Sequence, residues 1–73
     1  LRDLHPDYAA ALADLADENL DAAAEKFSKL TTSADPYLAT DATFFLGRTY
    51  MLQEKFEEAL PLLSDVQTKR AEW

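Results

Sequence analysis

The sequence predicts an all-α fold of about four helices, and three features support this prediction. Ala and Leu are the commonest residues, and the single glycine among 73 residues leaves helix propensity high almost everywhere. Apolar residues recur at helical spacing in successive segments. Prolines and short polar stretches separate these segments, which leaves connections of about two to five residues. Such short connections join neighbouring helices as antiparallel hairpins.

The first two helices are predicted within residues 6–30. Pro6 and Asp7 suit the first turn of a helix, where proline loses no hydrogen bond and a carboxylate favours the positive end of the dipole. The polar stretch 17–19 ends this helix, and Asn19 is expected to cap the second one. The apolar positions are Tyr8, Ala11, Leu12 and Leu15 in the first helix and Leu20, Ala23, Phe27 and Leu30 in the second.

The next two helices are predicted within residues 35–69. Asp35 and Pro36 place a cap and a proline in their preferred order, and the third helix is expected to run to about Gln53. The fourth helix is expected to begin near Phe56. Because Pro61 cannot donate a hydrogen bond to the carbonyl four residues earlier, it should kink this helix or move its first turn later.

The second and fourth helices repeat the same pattern at a constant offset of 36 residues (56 − 20). The matching pairs are Leu20 with Phe56, Ala23 with Ala59, Phe27 with Leu63 and Leu30 with Val66. A two-helix unit of this length cannot bury both of its faces alone, so we expect successive units to stack.

The stretch "ATFFLGRTYMLQEKFEEALPLL" (residues 42–63) resembles a tetratricopeptide repeat. Gly47, Tyr50, Phe56 and Ala59 lie at the spacing typical of that family, and an Asp-Pro pair is its usual punctuation between repeats. The resemblance implies a short right-handed α-solenoid. In this family the glycine lets the second helix approach closely, and Ala59 is the expected opposite surface.

The same resemblance divides the chain, taken as one domain over residues 1–73. Repeat one is expected at about 6–33 and repeat two at about 35–69, while residues 70–73 would begin a third helix pair. The match of the first repeat is clearest in its second helix, and a generic helical hairpin is the alternative there. We expect its turn to be one residue shorter, which places Leu12 where Gly47 lies and Leu15 where Tyr50 lies. The other register would bury Asp14, and an unpaired buried carboxylate is costly.

Charge excludes several classes of function. Fourteen acidic residues against seven Lys and Arg give a net charge of −7, which is the wrong sign for a nucleic-acid surface or a basic membrane-bound helix. The apolar runs are too short to span a membrane. The chain does not begin with methionine, and we expect it to be a piece of a longer protein whose compartment stays open.

No enzymatic, metal or cofactor chemistry is expected. Cysteine is absent, and the single histidine, His5, lies before the first helix with no partner group forced near it, so we expect it to be exposed or to cap a helix. Glu54, Glu57 and Glu58 lack the Glu-x-x-His pairs that bind metals in helical bundles, so a solvated face is the better interpretation. One glycine cannot form a phosphate-binding loop.

The resemblance implies a non-enzymatic interaction or scaffold module in which the first helix of each pair lines a concave peptide-binding surface. The implied binding positions are Tyr8, Leu12, Asp41, Phe44, Arg48 and Met51, with Leu15 as a further candidate. Such a set suits an apolar peptide that carries a carboxylate. The alternatives are that Phe44 or Phe45 packs in the core and that Arg48 is a solvated helix residue. The Lys and Asn residues with which chaperone-tail binders of this family hold a carboxylate are absent from the matching positions.

A structural role is the second hypothesis. Repeat arrays generally need three or more units and a polar capping helix, and the sequence shows two units and no clear cap. An uncovered apolar face at the carboxyl-terminal end would then be covered by neighbouring repeats of the parent protein or by a second copy. This hypothesis predicts self-association that depends on protein concentration.

Overall fold

The computed structural model describes residues 5–72, and this part of the chain contains four α-helices and no strand. The helices are α1 (Pro6–Ala16), α2 (Leu20–Leu30), α3 (Pro36–Leu52) and α4 (Phe56–Ala71). The all-α prediction is therefore confirmed. Among the described residues, no helix has the length and apolar character needed to cross a membrane.

The helix starts show which caps were predicted correctly. The Asp35 carboxylate accepts hydrogen bonds from the amides of Tyr37, at 3.0 Å, and Leu38, at 3.3 Å, so this predicted cap is confirmed. His5 also caps a helix, because its Nδ1 accepts a hydrogen bond from the Asp7 amide at 3.2 Å. Asn19 makes no side-chain capping bond, so that prediction is wrong. Asn19 does occupy the N-cap position of α2, and its carbonyl accepts the first backbone hydrogen bond of the helix from the Ala23 amide at 2.9 Å.

The turns of the two hairpins have the same length and the same backbone geometry. Three residues separate α1 from α2, and three separate α3 from α4. The middle residue is left-handed in both turns, with φ of 64° at Glu18 and 61° at Glu54. The Asn19 amide donates to the Asp14 carbonyl, and the Lys55 amide donates to the Tyr50 carbonyl, each at 2.8 Å. The offset of 36 residues therefore extends through both turns.

This geometry overturns the predicted shorter first turn. At an offset of 36, Ala11 and not Leu12 occupies the position of Gly47, and Asp14 and not Leu15 occupies the position of Tyr50. Asp14 can lie there because it forms an ion pair with Lys26 on α2. The predicted cost assumed a carboxylate without a partner, and the pairing removes most of that cost.

The core lies where α2 packs between α1 and α3, and α4 packs on the other side of α3. Phe27 is fully buried at its centre. Gly47 does allow a close approach, because a Cβ added to it would lie 2.9 Å from Leu63 Cδ2 and 3.4 Å from Leu62 Cβ. The atoms nearest to such a Cβ belong to Leu62 and Leu63, where the sequence had suggested Ala59.

The fourth helix is longer than the sequence suggested. It begins at Phe56 with Pro61 inside it, so the alternative of a later first turn is wrong. It continues to Ala71, so Arg70 and Ala71 belong to α4 and do not begin a third helix pair. The rest of that predicted start reaches Trp73, which lies outside the described residues.

Candidate functional site

An open groove of about 760 Å³ lies between the carboxyl-terminal half of α1 and the middle of α3. Its lining residues are mostly apolar and come from both helices, the first turn and the start of α2. They are Leu12, Leu15, Ala16, Glu18, Leu20, Phe45, Arg48 and Leu52. The groove thus contains two of the residues predicted to bind a partner, Leu12 and Arg48, together with the further candidate Leu15.

Helical spacing and packing on α2 explain why these side chains meet. Leu12 and Arg48 are equivalent at the offset of 36, so the two hairpins present them from corresponding faces of α1 and α3. The Phe45 ring is stacked on Phe27, with centroids 5.6 Å apart and an angle of 17° between the rings. Tyr8 packs edge-on against both rings at 6.1 Å. This aromatic cluster fixes one wall of the groove on the rigid core.

The groove has one cation at its rim. Arg48 is exposed, and among the described residues its guanidinium forms no hydrogen bond or ion pair. The Glu18 carboxylate, at the first turn, contributes the opposite charge to the lining. A guanidinium beside apolar side chains can bind a carboxylate through two parallel hydrogen bonds while apolar groups fill the groove.

Asp41 and Phe44 lie away from this groove and already have a partner within the chain. Arg70 of α4 donates from Nη2 to the Asp41 carboxylate at 3.2 Å, and its Cζ lies 4.9 Å from the centre of the Phe44 ring. Phe44 is half-buried and packs edge-on against Phe45 at 5.1 Å. These predicted binding residues therefore form an internal contact between α3 and α4.

Tyr8 and Met51 differ in how much surface they offer a partner. Tyr8 is only 8% exposed and belongs to the core cluster. Burial raises the pKa of its phenol, the Asp41 charge raises that pKa further, and Arg70 opposes both effects. Met51 is 37% exposed, and it does not line the groove. The structure thus groups Leu12 and Leu15 with Arg48 and separates them from the other predicted residues.

Sequence reasoning missed part of the groove wall. Leu20, Phe45 and Leu52 line it but were not among the predicted binding residues. Leu52 could have been found from spacing, because it lies one helical turn after Arg48 on the same face. Phe45 could not, because either of two adjacent phenylalanines could have filled the core.

A second surface with apolar side chains lies on α4. Phe56 is 49% exposed and Leu60 is 60% exposed. Their equivalents on α2 are less exposed, because Leu20 is half-buried and Ala24 is buried. The exposure follows from position in the fold, since α4 packs on one neighbour within the described residues and α2 packs on two.

The described residues contain no group of three His, Asp or Glu side chains arranged to hold a metal ion. Comparisons of the chain with family models, curated proteins and solved structures give no match. Function must therefore be argued from the groove and the exposed helix face.

Proposed function

We propose that the protein is a non-enzymatic interaction module that binds a peptide segment of a partner protein through the surface formed by α1 and α3. One observation carries this proposal: an apolar groove shared by both helices ends at an arginine that has no partner among the described residues. Apolar pockets with a few convergent polar groups are the usual form of binding sites.

The groove favours a peptide with apolar side chains and one carboxylate. Leu12, Leu15 and Phe45 would contact the apolar side chains, and Arg48 would bind the carboxylate in a bidentate geometry. The net charge of −7 would repel peptides that are acidic overall, so a single carboxylate within an apolar segment is the best match.

We also propose that the chain is related to tetratricopeptide repeats. The repeat-like hairpins support this relationship, because their turns share one geometry at an offset of 36 residues. Gly47 at the close approach of α4 supports it as well. In a solenoid built from such units, α1 and α3 would line the concave surface.

A phage-displayed library of random peptides, selected on the immobilised protein, tests the groove. The selected peptides should combine Leu or Phe with one Asp or Glu. Arg48→Glu should weaken their binding by at least about tenfold, equivalent to about 1.4 kcal/mol. Lys29→Glu is the matched control, since Lys29 is an exposed cation on α2 outside the groove. Equal binding to both variants would contradict the proposed role of Arg48.

The exposed face of α4 favours a second candidate function, which is assembly. Phe56 and Leu60 form an apolar surface that a neighbouring repeat of the parent protein or a second copy could cover. Sedimentation from micromolar to millimolar protein concentrations tests this function. A strict monomer throughout that range would count against it.

A further inference from the structure

The two open ends of the helix array carry surfaces that are buried elsewhere in the same chain. On α4, the exposed Phe56 and Leu60 correspond to Leu20 and Ala24 of α2, and Leu63, which is half-buried against Gly47, corresponds to Phe27. The Phe27 ring stacks on Phe45 of α3, so α3 covers this face of α2. Nothing in the described part of the chain covers α4 in the same way.

The complementary surface lies on α1. Ala42, Phe45 and Thr49 recur at helical spacing on the face of α3 from which Phe45 packs on Phe27, and both Ala42 and Thr49 are fully buried. Their equivalents on α1 are Pro6, Ala9 and Ala13, and all three are exposed. Within residues 5–72, nothing covers the face of α1 that matches the covered face of α3.

The side chains at these two open faces differ in size in a compensating way. Within the chain, the large Phe45 of α3 stacks on Phe27 of α2, and the small Ala24 lies one helical turn before Phe27 on the same face of α2. At the open faces the sizes are reversed, because Leu60 replaces Ala24 and Ala9 replaces Phe45. A protruding leucine on α4 thus meets a small residue on α1, which keeps the total volume of the contact similar.

We propose that a second copy of this chain docks head-to-tail, with its α1 on α4 of the first copy. The contact between the two molecules then repeats the packing of α3 on α2 within one chain. This inference rests on the assembly role and names the partner and its surface. Each copy uses two different faces, so the contact is heterologous and continues from copy to copy instead of closing as a dimer.

The charges at the contact between α4 of one copy and α1 of the other, here called the junction, predict that the association is weak and that salt strengthens it. Within the chain, Gln53 donates a hydrogen bond from Nε2 to the Asp21 carboxylate at 2.6 Å. The equivalents at the junction are Asp17 of one copy and Glu57 of the other, so two carboxylates replace an amide and a carboxylate. Salt screens such repulsion, and Asp17→Gln restores the pairing found inside the chain.

Complementation between two variants tests the direction of docking. Leu60→Glu blocks the α4 face and Ala9→Glu blocks the α1 face, and both residues are exposed, so neither change disturbs the core. By sedimentation equilibrium, the unaltered protein should self-associate increasingly with concentration, while each variant should be monomeric. An equimolar mixture of the two variants should form a 1:1 dimer and nothing larger.

Two further measurements sharpen the test. Thr68→Glu is the control, since Thr68 is exposed on another face of α4, and it should associate like the unaltered protein. Asp17→Gln should tighten association about threefold or more at low salt and less at high salt. Far-UV circular dichroism of every variant confirms that the helices are intact.

Two results would contradict these proposals, and each result contradicts a different one. If the unaltered protein stays monomeric, both the assembly role and head-to-tail docking fail, while binding of peptides to the groove is unaffected. If the protein associates but Ala9→Glu does so equally well, or the mixture stays monomeric, head-to-tail docking fails and assembly through α4 alone survives.

Discussion

The two hairpins have the same backbone geometry in their turns and differ in the side chains between their helices. Their turns have equivalent hydrogen bonds and a left-handed glutamate in the same place. Inside the hairpins, the ion pair of Asp14 with Lys26 has Tyr50 and Leu62 as its equivalents. At these positions the first hairpin has a charged pair and the second has two partly buried side chains that pack against the core, so the fold accepts both compositions here.

The hairpins also differ in how deeply their equivalent side chains are buried, and this difference gives the largest expected effect. Phe27 is fully buried, whereas Leu63 at the equivalent position is half-buried. Phe27→Ala should cost about 3–5 kcal/mol and Leu63→Ala about 1–2 kcal/mol. Because the single core of a domain of this size rarely supplies more than about 3–5 kcal/mol of stability, the first variant should be largely unfolded.

Urea unfolding followed by far-UV circular dichroism measures both variants under the same conditions. Equal losses of unfolding free energy would show that α2 and α4 contribute equally to the core, against the difference in their burial.

Gly47 marks the closest contact of the second hairpin, and enlarging it should give the next largest effect. A leucine there must displace Leu62 and Leu63, so Gly47→Leu should cost about 1–3 kcal/mol or more. Gly47→Ala copies Ala11 of the first hairpin and is the matched control. Its added methyl meets the flexible end of Leu63, and alanine favours a helix by about 1 kcal/mol over glycine, so its net change should be small. An unchanged melting temperature for Gly47→Leu would mean that α3 and α4 do not cross at this point.

The left-handed glutamates should respond alike in the two hairpins. Glu18 and Glu54 adopt a conformation that costs a residue with a side chain about 1 kcal/mol relative to glycine. Glu18→Gly and Glu54→Gly should therefore each raise the free energy of unfolding by about that amount. Glu57→Gly, inside α4, is the control and should lower stability instead. Thermal melts that separate the two turn variants clearly would contradict the shared geometry.

Replacing the ion pair of Asp14 with Lys26 by the equivalent residues of the second hairpin should produce the smallest change in the free energy of unfolding. Lys26→Leu alone leaves Asp14 without its partner, and we expect a loss of about 1 kcal/mol or less because the Lys26 side chain is 40% exposed. Adding Asp14→Tyr rebuilds the pairing of the second hairpin, and the double variant should lie within about 1 kcal/mol of the unaltered protein. A double-mutant cycle in denaturant, at low and high salt, measures the coupling. Two single losses that simply add would show that Asp14 and Lys26 do not interact.

The sequence was sufficient to predict the helices because their ends are marked locally. The Asp35 cap beside Pro36 and the repeat at an offset of 36 needed no knowledge of tertiary contacts. The register of α1 could not be predicted in this way. It depends on Lys26, twelve residues away from Asp14, whose side chain makes the half-buried carboxylate tolerable.

The residues of the candidate site could likewise be predicted only in part from the sequence. Leu12 and Arg48 reach the groove because helical spacing places them there. Asp41 and Phe44 were predicted from the same spacing, but Arg70 reaches them from the next helix, 29 residues after Asp41. Local pattern indicates which face a residue occupies, and it does not indicate which distant side chain already covers that face.

The contact of Arg70 with Asp41 and Phe44 makes the two ends of the surface formed by α1 and α3 unequal for a ligand. A ligand that reached Asp41 and Phe44 would have to compete with a guanidinium tethered to the same molecule, whose effective concentration is far above that of a free ligand. A ligand at Arg48 meets no such competitor among the described residues. Binding should therefore begin at the end near the first turn, and extension toward Asp41 would require the ligand to provide a cation that replaces Arg70.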